Sequence, residues 1–285
     1  MSALDSGLTG HRGNLDDALT KDGFELVRVD ITTGISVEGP LDAVIHMASP
    51  ASPVDYLRLP IETMRAGALG TWEALELAGA NRATFLLAST SEVYGDPEIH
   101  PQPESYWGNV NPIGPRAVYD EAKRFAEALT MAYHRHRATP IRIARIFNTY
   151  GPRLRPDDGR AVPTFLRQAM TGQDITVHGD GAQTRSLCFV DDLIDGIWRL
   201  LSSDVRGPVN LGNPQEVTMQ SLAETVRSIV GSTSPIVFDE RPEDDPRKRC
   251  PDISMARREL GWSPTVPLSE GIARTAAWAK TAWNL

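Results

Sequence analysis

A tyrosine and a lysine four residues apart could form a proton-transfer pair in the middle of this sequence. Tyr119 and Lys123 lie near the start of a predicted helix, where this spacing places both side chains on one helix face. A free tyrosine has a pKa of about 10 and is a poor base at neutral pH, but a nearby ammonium favours the phenolate and lowers that pKa. The pair could remove a hydroxyl proton while a hydride leaves the same carbon. Because Y-x-x-x-K occurs often by chance, the pair alone does not establish an oxidoreductase.

A second group of reactive side chains follows a predicted strand. The apolar run 83–88 ends in the sequence Ser-Thr-Ser-Glu-Val-Tyr-Gly at 89–95. Serine and threonine after a strand are usually turn or cap residues. Here, however, the hydroxyls and the carboxylate follow a strand at the edge that the tyrosine helix would reach, which favours one shared site.

The elements that must position these residues alternate between strands and helices. Short β-branched runs predict buried strands and longer amphipathic runs predict helices, which implies βαβ units with a parallel sheet. Ligands of such sheets bind beyond the carboxyl ends of the strands. In the tyrosine helix, Ala122, Ala126, Leu129 and Tyr133 fall on one apolar stripe. The predicted strands are 24–29, 43–47, 83–88, 141–147, 174–178 and 208–211, and the predicted helices are 61–80, 120–137, 162–170, 191–201, a helix capped by Thr218 and ending at 230, 254–260 and 269–282, with loops at 151–159 and 241–248.

Composition narrows the classes of protein. The chain has 285 residues, 41% hydrophobic and 23% charged, which is typical of a globular protein. The net charge of −8 argues against a general binder of nucleic acid or of anionic membranes. Cys188 and Cys250 show no metal or redox spacing, so we expect no metal site, no disulfide framework and a reducing cytoplasm. No apolar run approaches the roughly 20 residues of a membrane helix, and residues 1–12 do not resemble a signal peptide.

Four motifs identify a family resemblance. They are His-Met-Ala-Ser at 46–49, the 89–95 cluster, Tyr119 with Lys123, and Arg-Ile-Phe-Asn-Thr-Tyr-Gly-Pro at 145–152. Together they resemble the extended short-chain dehydrogenases of the NAD-dependent epimerase/dehydratase family, which act on nucleotide sugars. Stretches 48–56, 92–124 and 183–192, supported by 209–214 and 245–249, are most similar to the UDP-glucuronate decarboxylases, or UDP-xylose synthases. The resemblance runs from about residue 4 to the C-terminus.

The resemblance implies a fold. It predicts an α/β protein with a Rossmann-like, doubly wound parallel sheet and a smaller α/β substrate lobe. Residues 1–150 and about 186–213 would form the NAD-binding domain, and about 151–185 and 214–285 the substrate-binding lobe. The family also implies a homodimer whose contact includes the tyrosine helix.

The resemblance also implies the reaction and its residues. NAD takes a hydride from C4 of UDP-glucuronate while Tyr119 takes the hydroxyl proton, the resulting β-keto acid loses carbon dioxide, and the hydride returns to give UDP-xylose. Residues that match catalytic positions are Thr90, Ser91, Glu92, Tyr119, Lys123 and Arg185. Those that match cofactor positions are Asp5, Ser6, Leu8, Thr9, Gly10, Asp30, Ile31, Met47, Ser49, Ala88, Tyr119, Lys123 and Thr149. Those that match substrate positions are Arg65, Tyr133, Asn148, Arg160 and Arg185.

Ser91 separates the branches of this family. The sugar 4,6-dehydratases resemble the chain but carry an aspartate–glutamate pair where Ser91 and Glu92 stand, and the 4-epimerases have neither acid. A serine beside Glu92, with Arg185 for a carboxylate, fits decarboxylation best. A 4,6-dehydratase, a 4-epimerase, and a truncated, non-catalytic paralogue that binds a nucleotide sugar or a partner remain the alternatives.

The N-terminus departs from the family pattern. The family starts with a strand, a glycine-rich turn and a helix, and its second strand ends in an acid that binds a ribose hydroxyl. Here Asp5 matches that acid, so the first strand–helix unit and its glycine fingerprint lie outside the sequence, and we expect strand 24–29 to lose its neighbour. A misplaced start, a true truncation and an edge supplied by another chain would each explain this. Gly67 stands where the family has asparagine. Either this removes one contact near the active site, or the glycine allows two helices to pack more closely.

Overall fold

A computed structural model describes residues 1–240 and 248–284 as an α/β protein. The predicted loop 241–248 lies, except for its last residue, outside the described residues. The strands are β1 Ser2–Asp5, β2 Glu25–Arg28, β3 Ala43–His46, β4 Thr84–Thr90, β5 Ile141–Ile146, β6 Thr149–Tyr150, β7 Ile175–His178, β8 Thr184–Ser186, β9 Cys188–Phe189, β10 Pro208–Leu211, β11 Glu216–Thr218 and β12 Ile236–Asp239. The helices are α1 Asp16–Leu19, α2 Pro53–Arg58, α3 Pro60–Arg65, α4 Thr71–Asn81, α5 Ala117–Arg137, α6 Ala161–Met170, α7 Val190–Leu201, α8 Met219–Val230, α9 Ser254–Leu260 and α10 Leu268–Ala282.

The largest sheet has four parallel strands in the order β10-β5-β4-β3. Phe85, Leu86 and Leu87 in β4 are fully buried, because helices cover both faces of a parallel sheet and successive side chains enter opposite cores. On one face the core includes α4 and α5, and on the other it includes α7 and α9. This sandwich confirms the predicted doubly wound architecture.

Strands β1 and β2 form a separate two-stranded parallel sheet, with Ser2 opposite Glu25 and Asp5 opposite Arg28. The expectation that strand 24–29 loses its neighbour was therefore wrong: the few residues before Asp5 suffice to pair with β2. The neighbour is short, however, and Val27 of β2 is still 40% exposed. The apolar side chains of this strand are thus only partly covered.

The predicted helix 61–80 is divided into α3, a π-helical turn at Ala66–Gly70, and α4. Gly67 lies in that turn against α5, where an added Cβ would come within 2.7 Å of the Ala122 Cβ and 2.9 Å of the Ala122 carbonyl oxygen. Ala122 lies between Tyr119 and Lys123. Gly67 thus allows the close approach of the helix that carries the tyrosine–lysine pair, in line with the packing interpretation.

A second region of the chain packs α6, α8 and α10 around its own apolar core, which includes Phe165, Leu222 and Ile272. Its β-pairs are β12-β7, parallel, and β11-β8, antiparallel. All three of these helices match the predicted ones within one residue at each end. Thr218 caps α8 by accepting a hydrogen bond from Ser221 N. Over the described ranges, no helix has the length and apolar character needed to cross a membrane.

Candidate active site

Tyr119 and Lys123 occupy the first turns of α5 and are both buried. The Lys123 Nζ atom donates a hydrogen bond to the Ala88 carbonyl at 2.8 Å and lies 5.8 Å from the centre of the Tyr119 ring. Tyr56, from α2, stacks on Tyr119 with ring centres 5.0 Å apart and planes 8° apart. The pair predicted from its spacing therefore exists, joined to β4 by lysine and framed by a second aromatic ring.

Burial determines the protonation of this pair. It raises the pKa of Tyr119 to about 12, with the negative charge of Glu92 adding to the increase and a hydrogen bond with Thr90 opposing it. Burial also lowers the pKa of Lys123 to about 8. The pKa of Tyr119 is raised overall because loss of hydration outweighs the groups that favour the phenolate. That the Lys123 ammonium, which points to the Ala88 carbonyl, favours the phenolate stays a prediction. In this structure the phenol therefore keeps its proton at neutral pH.

Thr90, Ser91 and Glu92 stand at the carboxyl end of β4, as the sequence predicted. Thr90 is the N-cap of a 3-10 helix at Ser91–Tyr94, and its hydroxyl accepts a hydrogen bond from Glu92 N at 3.2 Å. Thr90 and Ser91 are buried. The cap sets the direction of the chain at the strand end, so that threonine and the following carboxylate share the region of Tyr119.

Two arginines hold the carboxylate of Glu92. Arg116 Nη2 donates to Glu92 Oε2 at 2.6 Å, Arg249 Nη2 donates to the same oxygen at 2.9 Å, and Arg249 Nη1 donates to Oε1. Burial alone raises the pKa of Glu92, but Arg249 and Arg116 outweigh burial and lower it to about 2. Glu92 is therefore a fixed anion, and it joins β4 to the C-terminal part of the chain.

Sequence reasoning missed three members of this cluster: Arg116, Arg249 and Tyr56. Arg249 belongs to the supporting motif 245–249, which was the available signal. Arg116 lies within the matching stretch 92–124, and Tyr56 ends the matching stretch 48–56. The Tyr56 hydroxyl is buried and has no hydrogen-bond partner among the described residues, so a polar group is available beside Tyr119 for a ligand.

Asp120 is a buried acid next to Tyr119. Its Oδ1 atom has no hydrogen-bond partner within the described ranges. Burial and the charge of Glu92 raise the pKa of Asp120 well above its usual value, with Arg116 and Arg249 acting in the opposite direction. The cluster thus contains one carboxyl group held as an anion and one that holds its proton more tightly than an ordinary aspartate.

Only some of the predicted substrate residues lie near Tyr119. Asn148 follows β5, and Arg160, whose guanidinium pairs with the Asp158 carboxylate, carries charge close enough to lower the pKa of Tyr119. Arg185 lies on β8 opposite Val217, and its Nη1 atom donates to the Thr184 carbonyl at 2.8 Å.

The structure does not bring Tyr133 to this site. Its hydroxyl donates to Glu76, and Arg137 lies over its ring at 4.6 Å. Tyr133 follows Tyr119 by 14 residues in one helix, a rise of about 21 Å. The prediction that it contacts substrate is therefore corrected to a packing role, which the apolar stripe of α5 already indicated.

A second cleft lies at the carboxyl ends of β1 and β2. Asp5 Oδ1 accepts a hydrogen bond from Gly7 N at 2.6 Å, and Asp30 Oδ1 accepts one from Thr32 N at 2.9 Å. The bonds from Thr32 lower the pKa of Asp30. The cleft brings together seven of the predicted cofactor residues, namely Asp5, Ser6, Leu8, Thr9, Asp30, Ile31 and Ser49, and also Arg65.

This donor and acceptor set fits the adenosine half of a dinucleotide. A carboxylate at a strand end can accept hydrogen bonds from ribose hydroxyls, and Gly10 keeps that carboxylate uncovered, since a Cβ there would lie 3.5 Å from Asp5 Oδ1. Arg65, assigned to substrate by the sequence, lines this cleft beside the predicted cofactor residues and donates to Thr32 Oγ1 at 3.1 Å.

The other predicted cofactor residues lie outside the lining of that cleft. Met47 follows β3 and is 47% exposed, and Thr149 begins β6. Ala88 supplies the carbonyl that binds Lys123. Ala88 therefore lies at the reaction centre with the tyrosine–lysine pair.

Comparison with known proteins places this geometry in a family. A family model described as GDP-mannose 4,6 dehydratase matches residues 6–275. "UDP-glucuronic acid decarboxylase 5" of Arabidopsis thaliana is 51% identical over 268 residues, covering 94% of this chain and 78% of that protein. "UDP-glucuronic acid decarboxylase 1" of Xenopus tropicalis is 47% identical over 275 residues, covering 96% of this chain and 65% of that protein.

Solved structures also superpose on this chain over nearly its whole length. The dTDP-glucose 4,6-dehydratase DesIV of Streptomyces venezuelae, with NAD and TYD bound, superposes with a TM-score of 0.89 at 26% identity, covering 99% of this chain and 88% of that one. The UDP-glucuronic acid 4-epimerase of Bacillus cereus, in complex with UDP-glucuronic acid and NAD, superposes with a TM-score of 0.84 at 26% identity, covering 98% and 90%.

Proposed function

Because this chain belongs to the NAD-dependent epimerase/dehydratase family, with UDP-glucuronic acid decarboxylases as relatives at about half identity, we propose that it converts UDP-glucuronate to UDP-xylose and carbon dioxide. The observation that carries the proposal is the cluster at the end of β4. There Thr90, Ser91 and Glu92 lie beside Tyr119, with Glu92 held by Arg249 and Arg116.

The first step removes a hydride and a proton from C4 of the sugar. Bound NAD would accept the hydride and later return it, and its positively charged nicotinamide would favour the phenolate of Tyr119. Tyr119 takes the C4 hydroxyl proton, and Thr90, whose hydroxyl acts to lower the pKa of Tyr119, orients the same oxygen. Burial lowers the pKa of Lys123 to about 8, so this lysine can release and regain a proton near neutral pH while Tyr119 exchanges one with the sugar.

The second step breaks the bond between C5 and the carboxylate. The 4-keto sugar is a β-keto acid, so its electrons flow into the new carbonyl as carbon dioxide leaves. Donors near the C4 oxygen stabilise the resulting enolate. Glu92 stays ionised and fixes two guanidinium groups, while Arg185 is the arginine proposed to face the sugar carboxylate. Reprotonation of the enolate and return of the hydride complete UDP-xylose.

We also propose how the chain is organised around this reaction. Residues 1–150 and about 186–213 would hold NAD, with Asp5 and Asp30 toward the adenosine end, and about 151–185 and 214–285 would hold the nucleotide sugar, including Asn148 and Arg160 at the boundary. We assign four further predicted cofactor residues, Gly10, Met47, Ala88 and Thr149, to the same NAD-binding part of the chain.

A homodimer and a cytoplasmic location are part of the same proposal. Large apolar side chains are exposed on elements that pack together, including Trp72 on α4 and Phe125 on α5, which are 48% and 49% exposed. Two such faces would cover each other in a dimer. Sedimentation should give twice the chain mass, and Phe125→Lys should shift the chain to the monomer.

The free cysteines Cys188 and Cys250 are consistent with a reducing compartment.

A turnover assay tests the reaction directly. The chain is incubated with NAD and UDP-glucuronate, and the nucleotide sugars are identified by mass spectrometry. The expected product is UDP-xylose, with no net reduction of NAD. Formation of UDP-galacturonate would instead indicate a 4-epimerase. Binding of UDP-glucuronate without product would contradict catalysis and favour the nucleotide-sugar-binding alternative.

A further inference from the structure

Three side chains of the types that bind zinc lie close together, and one of them is Cys250, the residue that follows Arg249. The imidazole of His100, the carboxylate of Glu216 and the thiol of Cys250 hold their ligand atoms within 4.8 Å of one another. His100 Nε2 lies 2.9 Å from Glu216 Oε2. Cysteine spacing predicted no metal site, because the three residues are far apart in the sequence and meet only through the fold.

Backbone hydrogen bonds keep two of the segments together. Gln102 N donates to the Cys250 carbonyl at 2.9 Å, and Asp252 N donates to the Gln102 carbonyl at 3.0 Å. The buried Gln102 side chain adds a third bond by accepting from Cys250 N at 2.8 Å. The backbone segment that follows His100 is therefore held against the segment that carries Cys250.

Glu216 reaches the cluster from β11. It lies opposite Ser186 in the pairing with β8, and its Oε1 atom accepts a hydrogen bond from the Thr184 hydroxyl. Such bonds from outside the ligand set orient a carboxylate and leave its other oxygen for a metal. That other oxygen, Oε2, is the one beside His100.

The cluster is open to solvent on one side. The side chains of His100 and Glu216 are 33% and 26% exposed, whereas Cys250 is 2% exposed. A cation can thus approach past imidazole and carboxylate and reach the thiol beneath them. Zinc bonds of about 2.0 to 2.3 Å place ligand atoms less than about 4 Å apart, so the cluster needs only a small contraction.

We propose that His100, Glu216 and Cys250 bind one divalent cation of the zinc class, with water as the fourth ligand. A thiolate, an imidazole and a carboxylate suit zinc rather than magnesium or calcium, which prefer oxygen ligands. On binding, the Cys250 thiol releases its proton to solvent and the sulfur bonds to the metal, with no change of oxidation state. The metal joins segment 100–102, β11 and the segment that carries Arg249, and so fixes the backbone next to the Glu92 ion pair.

Cobalt provides a direct probe of this site. The 285-residue chain, freed of metal with a chelator, is titrated with Co²⁺ and then with Zn²⁺. We expect one ion per chain and a near-ultraviolet sulfur-to-cobalt charge-transfer band that Zn²⁺ displaces. Cys250→Ser should abolish the band, and His100→Gln and Glu216→Gln should each weaken Zn²⁺ binding at least about tenfold. Cys188→Ser removes the other buried cysteine and should leave the band unchanged.

Melting curves keep the test independent of folding defects. Zn²⁺ should raise the melting temperature of the unmodified chain and not that of Cys250→Ser, because a ligand stabilises only a fold that binds it. Each variant is first melted without metal, and the exposed His100→Gln and Glu216→Gln carry the test if Cys250→Ser does not fold. Absence of the band in the unmodified chain, its survival in Cys250→Ser, or unchanged Zn²⁺ affinity in both exposed variants would overturn the proposal.

Discussion

The reaction centre around Tyr119 and the cleft beside β1 and β2 are built in opposite ways. At the reaction centre, buried side chains from α2, α5, β4 and the Arg249 segment hold one another through stacking and ion pairs. In the cleft, the acids Asp5 and Asp30 bond to main-chain groups two residues away. The strands that lead to them, β1 and β2, have four residues each. The first region is ordered by distant contacts, whereas the second is a local structure in which a bound ligand can supply much of the order.

Removal of the Tyr119 hydroxyl should have the largest effect. In Tyr119→Phe the ring still stacks on Tyr56, but the proton acceptor is gone, so turnover should fall by about 1000-fold while the melting temperature stays near its original value. UDP-xylose formation measures the loss. Tyr133→Phe, on the same helix, is the matched control and should keep its turnover. Retention of more than a tenth of the activity by Tyr119→Phe would contradict the role of the phenol.

Loss of Arg249 tests the long-range ordering of the reaction centre. Arg249→Met leaves a buried Glu92 with only Arg116, and we expect the free energy of unfolding to fall by about 3 kcal/mol. Adding Glu92→Gln should restore part of that loss. Urea denaturation measures both variants, and Arg258→Met, which removes an exposed arginine paired with Glu259, should change stability by less than about 1 kcal/mol.

The same pair has a defined pH dependence. The arginines lower the pKa of Glu92 to about 2, so its stabilising contribution is complete above the ordinary glutamate pKa and is lost as pH falls toward 2. The difference between the unmodified chain and Arg249→Met should therefore shrink below pH 4. A difference that stays constant down to pH 2 would contradict this ion pair.

A change at Asp5 should affect the cofactor cleft alone. In Asp5→Asn the side-chain oxygen can still accept from Gly7 N, but the charge is lost, and NAD affinity should fall about tenfold because charge-assisted hydrogen bonds are worth roughly 1.5–3 kcal/mol. Calorimetric titration with NAD measures this. Asp17→Asn, an exposed acid on α1, is the control. A large drop in melting temperature without NAD would show that the two regions are less independent than their contacts indicate.

Asp120 should give the smallest effect. Its raised pKa means that it favours folding below the ordinary aspartate pKa and loses that contribution as pH rises through its folded value. Asp120→Asn should therefore stabilise the chain at pH 9 by about 1 kcal/mol, the lower end for an unsatisfied buried group, and change it less at pH 4. Denaturation at both pH values measures the difference, and the reverse order would refute the assignment.

Residues close in sequence were predictable, and residues joined by folding were not. Tyr119, Lys123 and the cluster at 89–95 share a helix turn or a strand end, so spacing alone places them. Arg116 and Arg249 carry charges of a type that is usually solvated, and their shared contact with Glu92 spans elements far apart. The spacing of residues in a single sequence does not indicate contacts between such distant elements.

Very short elements set a second limit. β6, β8, β9 and β11 have two or three residues each, too few to show an alternating pattern. Tyr133 shows the opposite error. Its place on the apolar stripe of α5 indicated packing, and that local signal was more accurate than the position matched to the family.

The pairing of Glu92 with Arg249 also has a consequence for folding. The two residues are 157 positions apart, and such contacts form slowly because a long loop must close before they contribute. While the chain is being synthesised, β4 and its carboxylate emerge long before the arginine. Parallel strands can assemble in that interval, but the acid then has one of its two counterions. Completion of the reaction centre is therefore a late folding event, which follows collapse of the sheet and depends on docking of the segment that contains Arg249.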